Sequence, residues 1–152
     1  MVVFKTFKAN RPEAEYVEEI SCLPYDVMNR EEASEMAKGK AHSFLRVVRS
    51  ETDLPTDISP YDEKVYLKAR ENLDRMIDEG ILAGDERPFY YIYRQVMDGR
   101  TQTGLVGCAG IDDYINDVIK KHEYTRPEKE EDRINNFYYC NANTEPVFLT
   151  YK

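Results

Sequence analysis

The strongest pattern in the chain lies between Pro60 and Glu79, where Val65, Ala69, Leu73, Met76 and Ile77 recur at three- and four-residue spacing. Lys64, Lys68, Glu71 and Asp78 fall largely outside that stripe, so the segment reads as an amphipathic helix, with Ser59 placed to cap it and Gly80 to end it. A second pattern surrounds Asp98-Gly99, a dipeptide that supplies the positive φ angles of a tight turn; Phe89 to Val96 and Thr101 to Ile111 flank it as the strands of a hairpin. Weaker signals fill the rest. Val2 to Phe7 alternates as a short strand, and Arg11-Pro12-Glu13 opens a helix to about Ile20, proline being suited to a first turn. Ser21 to Met28 is irregular around Pro24, because the residue before a proline is pushed away from helix. Asn29 with Glu32 forms a reciprocal capping pair for a short helix that Gly39 stops.

Further along, Ser43 to Arg49 reads as a strand, and Ser50 to Ser59 as an exposed loop, the best place in the chain for a flexible lid or an insertion. Val118 to Lys121 is a short strand, Thr125 to about Tyr139 a helix and Val147 to Tyr151 a final strand. Together these predict a single α+β domain over residues 1–152: a mixed sheet of about five strands with one antiparallel hairpin and helices packed on its faces. The final run is apolar almost to its last residue, which reads as a chain cut inside its fold and so as the N-terminal part of a longer protein.

Composition narrows the function classes. With 41% hydrophobic residues the chain can build a core, and its formal net charge of −8 argues against nucleic acid or an anionic membrane as partner. The three cysteines, Cys22, Cys108 and Cys140, are widely spaced and accompanied by two histidines, a poor basis for a zinc site; they read as small buried hydrophobes in a reducing compartment. The start lacks the basic and apolar regions of a signal peptide, and no run approaches the ~20 apolar residues of a membrane span. A cytoplasmic location is the expectation. Twelve tyrosines suggest base-stacking platforms, but Tyr90, Tyr91 and Tyr93 sit in a strand that needs such residues anyway.

Candidate chemistry concentrates in residues 120–133. Lys120, Lys121, His122, Glu123, Thr125 and Arg126 precede or open a helix that also carries Arg133, two turns beyond Arg126. Thr125 with Glu128 is spaced as a capping box, which makes the preceding residues a strand-to-helix turn; backbone N–H groups and the helix dipole there suit a phosphate or carboxylate. Glu123 beside His122 offers a general base. The same residues also read as a plain capped surface helix, since Glu128, Glu130 and Glu131 put negative charge into its first turns. Tyr25 and Asp26, in the irregular Leu23-Pro24-Tyr25-Asp26-Val27 loop, form a second candidate, able to hold a metal or a substrate amine; an Asp there also serves as an ordinary turn residue. Gly104, Gly107 and Gly110 read as strand irregularities or points of close backbone approach.

The motifs Leu23-Pro24-Tyr25-Asp26-Val27, Ser43-Phe44-Leu45-Arg46-Val47, Tyr91-Ile92-Tyr93-Arg94-Gln95, Gln102-Thr103-Gly104-Leu105 and Lys120-Lys121-His122-Glu123-Tyr124-Thr125-Arg126 occur in an order that resembles the bacterial and archaeal domain-of-unknown-function 1015 family. Leu23 stands where that family typically has a second proline. Family members are considerably longer, so the resemblance too implies an N-terminal part. It has no settled activity to carry over. Members look like accessory proteins of serine biosynthesis, and the strand, polar turn and helix pattern is remotely similar to free-serine kinases of the ParB and sulfiredoxin type of fold.

That similarity implies a nucleotide-dependent phosphotransferase acting on a small hydroxylated metabolite such as free serine, with ATP or ADP and Mg²⁺ as cofactors. Glu123 would be the base or orienting group; His122, Lys121, Arg126 and Arg133 would face the phosphates, and Asp26 would hold the substrate amine or Mg²⁺. Two alternatives stand beside it: a non-catalytic module binding a nucleotide or amino acid, and a structural half whose site a C-terminal region completes. The expected partner is a small-molecule substrate, with a second copy or the C-terminal part as further options.

Overall fold

A computed structural model describes residues 2–121 and 124–150. The chain divides into two compact units, one made of Met1–Arg11 with Gly84–Tyr124 and the other of Pro12–Ala83 with Thr125–Lys152. Strands β1 (Phe4–Lys5) and β2 (Asn10–Pro12) are followed by helices α1 (Val17–Ile20), α2 (Arg30–Ala37), α3 (Leu45–Val48) and α4 (Glu63–Asp78), then by strands β3 (Leu82–Gly84), β4 (Tyr91–Met97), β5 (Arg100–Val106) and β6 (Cys108–Ala109), and last by helices α5 (Ile111–Ile115) and α6 (Pro127–Cys140). The α+β class stands. The five-stranded mixed sheet does not, because the described strands form only two-stranded sheets.

In the first unit β4 and β5 make the expected antiparallel hairpin, Met97 facing Arg100 across a turn in which Asp98 and Gly99 have φ of 50° and 75°. Strand pairing then passes to β1 and β6, with Phe4 opposite Ala109. Gly107 separates β5 from β6 where a Cβ would stand 2.7 Å from the Phe4 ring, the close approach its glycine implied. Arg11 Nη2 donates to Asp85 Oδ1 at 2.7 Å, and Tyr91 Oη donates to Asp85 Oδ2 at 2.5 Å. Val118 to Lys121 forms no strand. Asp113 gathers that end of the unit instead: its carbonyl accepts from Ile119 N–H at 2.9 Å and its carboxylate from Val3 N–H at 2.7 Å.

The second unit holds the core. Val47, Ala69, Leu73, Met76, Ile81 and Cys140 are buried in one cluster, and Met28, Ala33, Ala37, Leu45 and Val48 in another, with Phe44 packed against both. Helix α4 is the expected amphipathic one, although Asp62 rather than Ser59 caps it and Ile77 stays exposed. Asn29 and Glu32 form the predicted capping box of α2, with Oδ1 and Oε2 accepting at 2.9 and 2.8 Å.

Three other expectations are corrected in this unit. Ser43 to Arg49 is not a strand but the turn of helix α3, because Leu45 and Val48 face one cluster while Val47 faces the other. The segment is buried on both sides, so its valines follow packing rather than strand propensity. The helix predicted to open at Arg11 starts later, as a 3-10 turn over Ala14–Tyr16 leading into α1, Asn10–Pro12 being extended. Val147 to Thr150 forms no strand, and Tyr151 lies outside the described residues.

The Ser50 to Ser59 loop is tied down rather than free. Arg30 donates from Nη1 and Nη2 to the carbonyls of Glu51, Leu54, Pro55, Thr56 and Ile58 at 2.8 to 3.1 Å. Ser50 Oγ donates to Val65 C=O at 2.6 Å, and Arg46 pairs with Asp53.

Candidate functional site

A cleft of about 310 Å³ opens in the second unit where the Tyr25–Val27 turn meets one face of α6. Helical spacing builds that face: Lys129, Asp132, Arg133 and Asn136 stand at i, i+3, i+4 and i+7, with Cys140 continuing the stripe into the core. A polar stripe therefore lies where an apolar one would be expected. Tyr25, Asp26, Tyr61 and Tyr66 complete the walls.

Arginines hold both sides in place. Arg49 Nη1 donates to the carbonyls of Tyr25 and Met28, at 2.7 Å each, and its Nε donates to the buried Glu51 carboxylate at 2.7 Å. Loop backbone that would otherwise stay unpartnered is thereby satisfied and fixed. Arg133 Nη2 and Nε donate to Asp132 Oδ2 at 2.8 and 3.3 Å, and its Nη1 donates to Glu145 at 3.2 Å. Its guanidinium lies 4.1 Å from the Tyr25 ring centre, a cation over an aromatic face. Tyr66, buried against Tyr139, donates to Asp132 Oδ1 at 3.0 Å.

The electrostatics follow from burial and these pairs. Burial and the Asp132 carboxylate push the Tyr66 phenol up to about 12. Burial also raises Tyr25, and it raises Glu145 against the pull of Arg133. For Arg133 burial works downward, but the charges of Asp132 and Glu145 outweigh it and hold the guanidinium above its ordinary value. Two charged groups remain available. Lys129 Nζ makes no ion pair among the described residues and stands 5.8 Å from the Tyr61 ring centre, and Asp26 is exposed and makes no ion pair among them either.

Of the residues singled out from sequence, Tyr25, Asp26 and Arg133 meet in this cleft. Others go elsewhere. Arg126 is exposed at the N-cap of α6 and pairs with Glu128 at 2.5 Å instead of sharing the Arg133 face. Thr125 does not cap: its hydroxyl donates to Glu130 at 3.1 Å, and Pro127 takes the first helical position. Lys120 pairs with Asp117 at 2.8 Å and Lys121 Nζ lies 4.5 Å from the Tyr114 ring, both within the first unit. His122 and Glu123 lie outside the described residues. No three His, Cys, Asp or Glu side chains among the described residues gather as a metal site. Sequence reasoning missed Arg49, Tyr66, Lys129 and Asp132, and the polar i, i+3, i+4, i+7 stripe on α6 was the signal that could have found Lys129 and Asp132.

The family model described as Protein of unknown function (DUF1015) matches residues 4–152. The chain belongs to the DUF1015 family. No curated protein and no solved structure matches it. For this DUF1015 chain the site is therefore read from its own chemistry: a mixed-charge, aromatic-walled cleft with, among the described residues, one available cation and one available carboxylate. No described helix is long and apolar enough to cross a membrane.

Proposed function

We propose that the cleft binds a small hydroxylated zwitterion, free serine being the leading candidate, and that the protein transfers a phosphoryl group to its hydroxyl from a nucleotide carrying Mg²⁺. The observation that carries this reading is the meeting of Asp26 and Tyr25 with Lys129 and Arg133 across about a hundred residues of sequence. An amino acid presents a carboxylate, an ammonium and a hydroxyl within a few ångströms of one another. Lys129 suits the first and Asp26 the second, while the tyrosine walls exclude water from part of the third's surroundings. A cleft that balances its charges this way fits a zwitterion better than a polyanion.

Phosphoryl transfer asks mainly for positioning and charge neutralisation. Of the cations that the sequence pattern offers to nucleotide phosphates, Arg126 belongs to the same unit as the cleft. The pair that Arg126 makes with Glu128 is exposed, and exposed pairs contribute little, so this cation is free to exchange its carboxylate for a phosphate. Mg²⁺ is commonly held by one or two carboxylates together with substrate phosphates, and Asp26 is the alternative holder of the metal, in place of the substrate ammonium. In the proposed step the serine oxygen bonds to the terminal phosphorus of ATP, the bond from that phosphorus to the bridging oxygen breaks to release the nucleoside diphosphate, and the serine proton passes to a carboxylate base, the role that the sequence pattern suggests for Glu123.

A second reading, ligand binding without chemistry, is favoured by one feature: the buried carboxylates Glu51 and Asp132 are both engaged by arginines and so are committed to holding the cleft together. The experiment that separates the two measures thermal shifts with ATP, ADP and phosphate in the presence of Mg²⁺, then assays phosphoserine formation from serine. Turnover that Glu123→Gln abolishes while binding persists supports the transferase. Nucleotide binding without turnover supports the binding module, and no shift with any of the three ligands removes the nucleotide from both readings.

A further inference from the structure

Helix α4 borders a second depression, of about 430 Å³, on a different face from the Val65 and Tyr66 that line the cleft; its polar lining is Arg46, Asp53, Lys68, Glu71, Asn72 and Arg75. Its floor is rigid and fully engaged. Arg46 donates from Nε to Lys40 C=O at 3.0 Å and from Nη2 to Ala37 C=O at 3.1 Å, and pairs with Asp53 through Nη1. The buried Asn72 amide donates to the other Asp53 oxygen at 2.9 Å and to Arg46 C=O at 2.7 Å.

The rim is different. Lys68 and Arg75 stand seven residues apart, two turns along one face, with Glu71 between them. Lys68 keeps only 25% of its side chain exposed and donates to Glu71 at 2.7 Å, whereas Glu71 is 67% exposed. Arg75 is half-buried, has no carboxylate within ion-pair distance among the described residues, and makes one hydrogen bond, from Nη2 to Ala41 C=O at 3.3 Å. A guanidinium carries five N–H donors, so most of those of Arg75 are unused by protein groups.

We propose that this depression is a second binding site, selective for a small oxyanion, a phosphate or carboxylate group, held by Arg75 and Lys68 after displacing the Glu71 carboxylate from Lys68. Three cations against two carboxylates make the pocket locally positive in a chain of net charge −8. Asp53 is neutralised by the floor, which leaves Glu71, among the described residues lining the depression, as the competitor for the rim cations. The Glu71 carboxylate is the solvent-exposed partner of this i,i+3 pair, so swinging it into water is cheap, and the planar fork of Arg75 matches two oxygens of a phosphate or carboxylate at once. Glu71 therefore acts as an internal stand-in for the ligand.

The test titrates the isotope-labelled 152-residue chain with inorganic phosphate at low ionic strength, and separately with malonate, following the side-chain amide of Asn72 by NMR. The Asn136 amide in the cleft serves as a separate reporter, so failure here and failure of the cleft reading are distinguishable. The expected result is a saturable shift at Asn72, weakened about tenfold by Arg75→Ala, equivalent to about 1.4 kcal/mol, and tightened severalfold by Glu71→Gln. A response to phosphate alone assigns the site to phosphate groups, a response to malonate alone to carboxylates, and a response to both to oxyanions in general. Should Arg75→Ala fail to fold, Glu71→Gln decides by itself. Absence of a saturable shift with either anion, equal affinity in Arg75→Ala and the parent, or no tightening in Glu71→Gln overturns the proposal.

Discussion

Asp132→Asn is the sharpest probe of how the cleft is held together. The carboxylate is nearly isosteric with the amide, so the change removes charge without leaving a cavity. In the parent, Asp132 Oδ2 takes two bonds from Arg133 and Oδ1 takes the Tyr66 hydroxyl, in a side chain only 10% exposed. An amide can still accept from Tyr66, but its NH₂ then faces a guanidinium that also only donates. Breaking a buried ion pair costs roughly 3–5 kcal/mol. Here Arg133 keeps Glu145 at 3.2 Å and is 26% exposed, so the expected loss is smaller, about 2–3 kcal/mol. For a chain of this size that lowers the melting temperature by about 4–12 °C. Urea unfolding with an unchanged m-value is the assay, run beside Glu145→Gln, which is expected to cost less because burial already disfavours that charge. A loss below about 1 kcal/mol, the range of an exposed surface pair, would refute the view that this network organises the cleft.

Three further outcomes follow from the same structure. The Tyr66 phenol, raised from 10 to about 12, binds its proton more tightly folded than unfolded, so its contribution is fully present below pH 10 and lost as pH rises toward 12; alkaline unfolding monitored by circular dichroism should shift in Tyr66→Phe, and an identical pH profile would contradict the assignment. Arg30→Lys replaces a fork serving five carbonyls with a point charge; amide hydrogen exchange over residues 51–58 should accelerate at least tenfold while α4 stays protected, and unchanged exchange would show that the loop is held by other contacts. Burial pushes the Cys140 thiol up to about 11, whereas Cys22 and Cys108 are exposed; a thiol reagent should label those two natively and Cys140 only after unfolding, and native labelling of Cys140 would place it outside the core.

What the sequence made legible is what short-range physics decides. Helix α4 announces itself through sixteen residues of regular spacing, the hairpin through Asp98-Gly99, and α2 through the Asn29 and Glu32 pair. Thr125 and Glu128 match the same capping pattern, yet Pro127 occupies the first helical position and the box does not form. A proline inside the motif outranks the motif, because its fixed φ is already helical. Ser43 to Arg49 was misread since its valines are wrapped by two clusters built from distant segments. Three buried cysteines were expected where only Cys140 is buried.

The cleft divides along the same line. Tyr25, Asp26 and Arg133 stood out by residue type and local irregularity. Arg49 and Tyr66 did not, since one acts through carbonyls more than twenty residues away and the other through a carboxylate sixty-six residues away. The loop after Arg49 was read as a lid for want of periodicity, while the five bonds that pin it come from a helix earlier in the chain. Arginine donating to backbone carbonyls leaves no local pattern to read.

The most direct measurement is a titration of the chain with free serine, following the side-chain amide of Asn136 at the foot of the cleft by NMR. A saturable shift at Asn136 is expected in the parent, at least tenfold weaker in Asp26→Asn and in Lys129→Met, with Asn72 unmoved. No saturable shift, or equal affinity in both variants, would contradict the assignment of this cleft to a hydroxylated zwitterion.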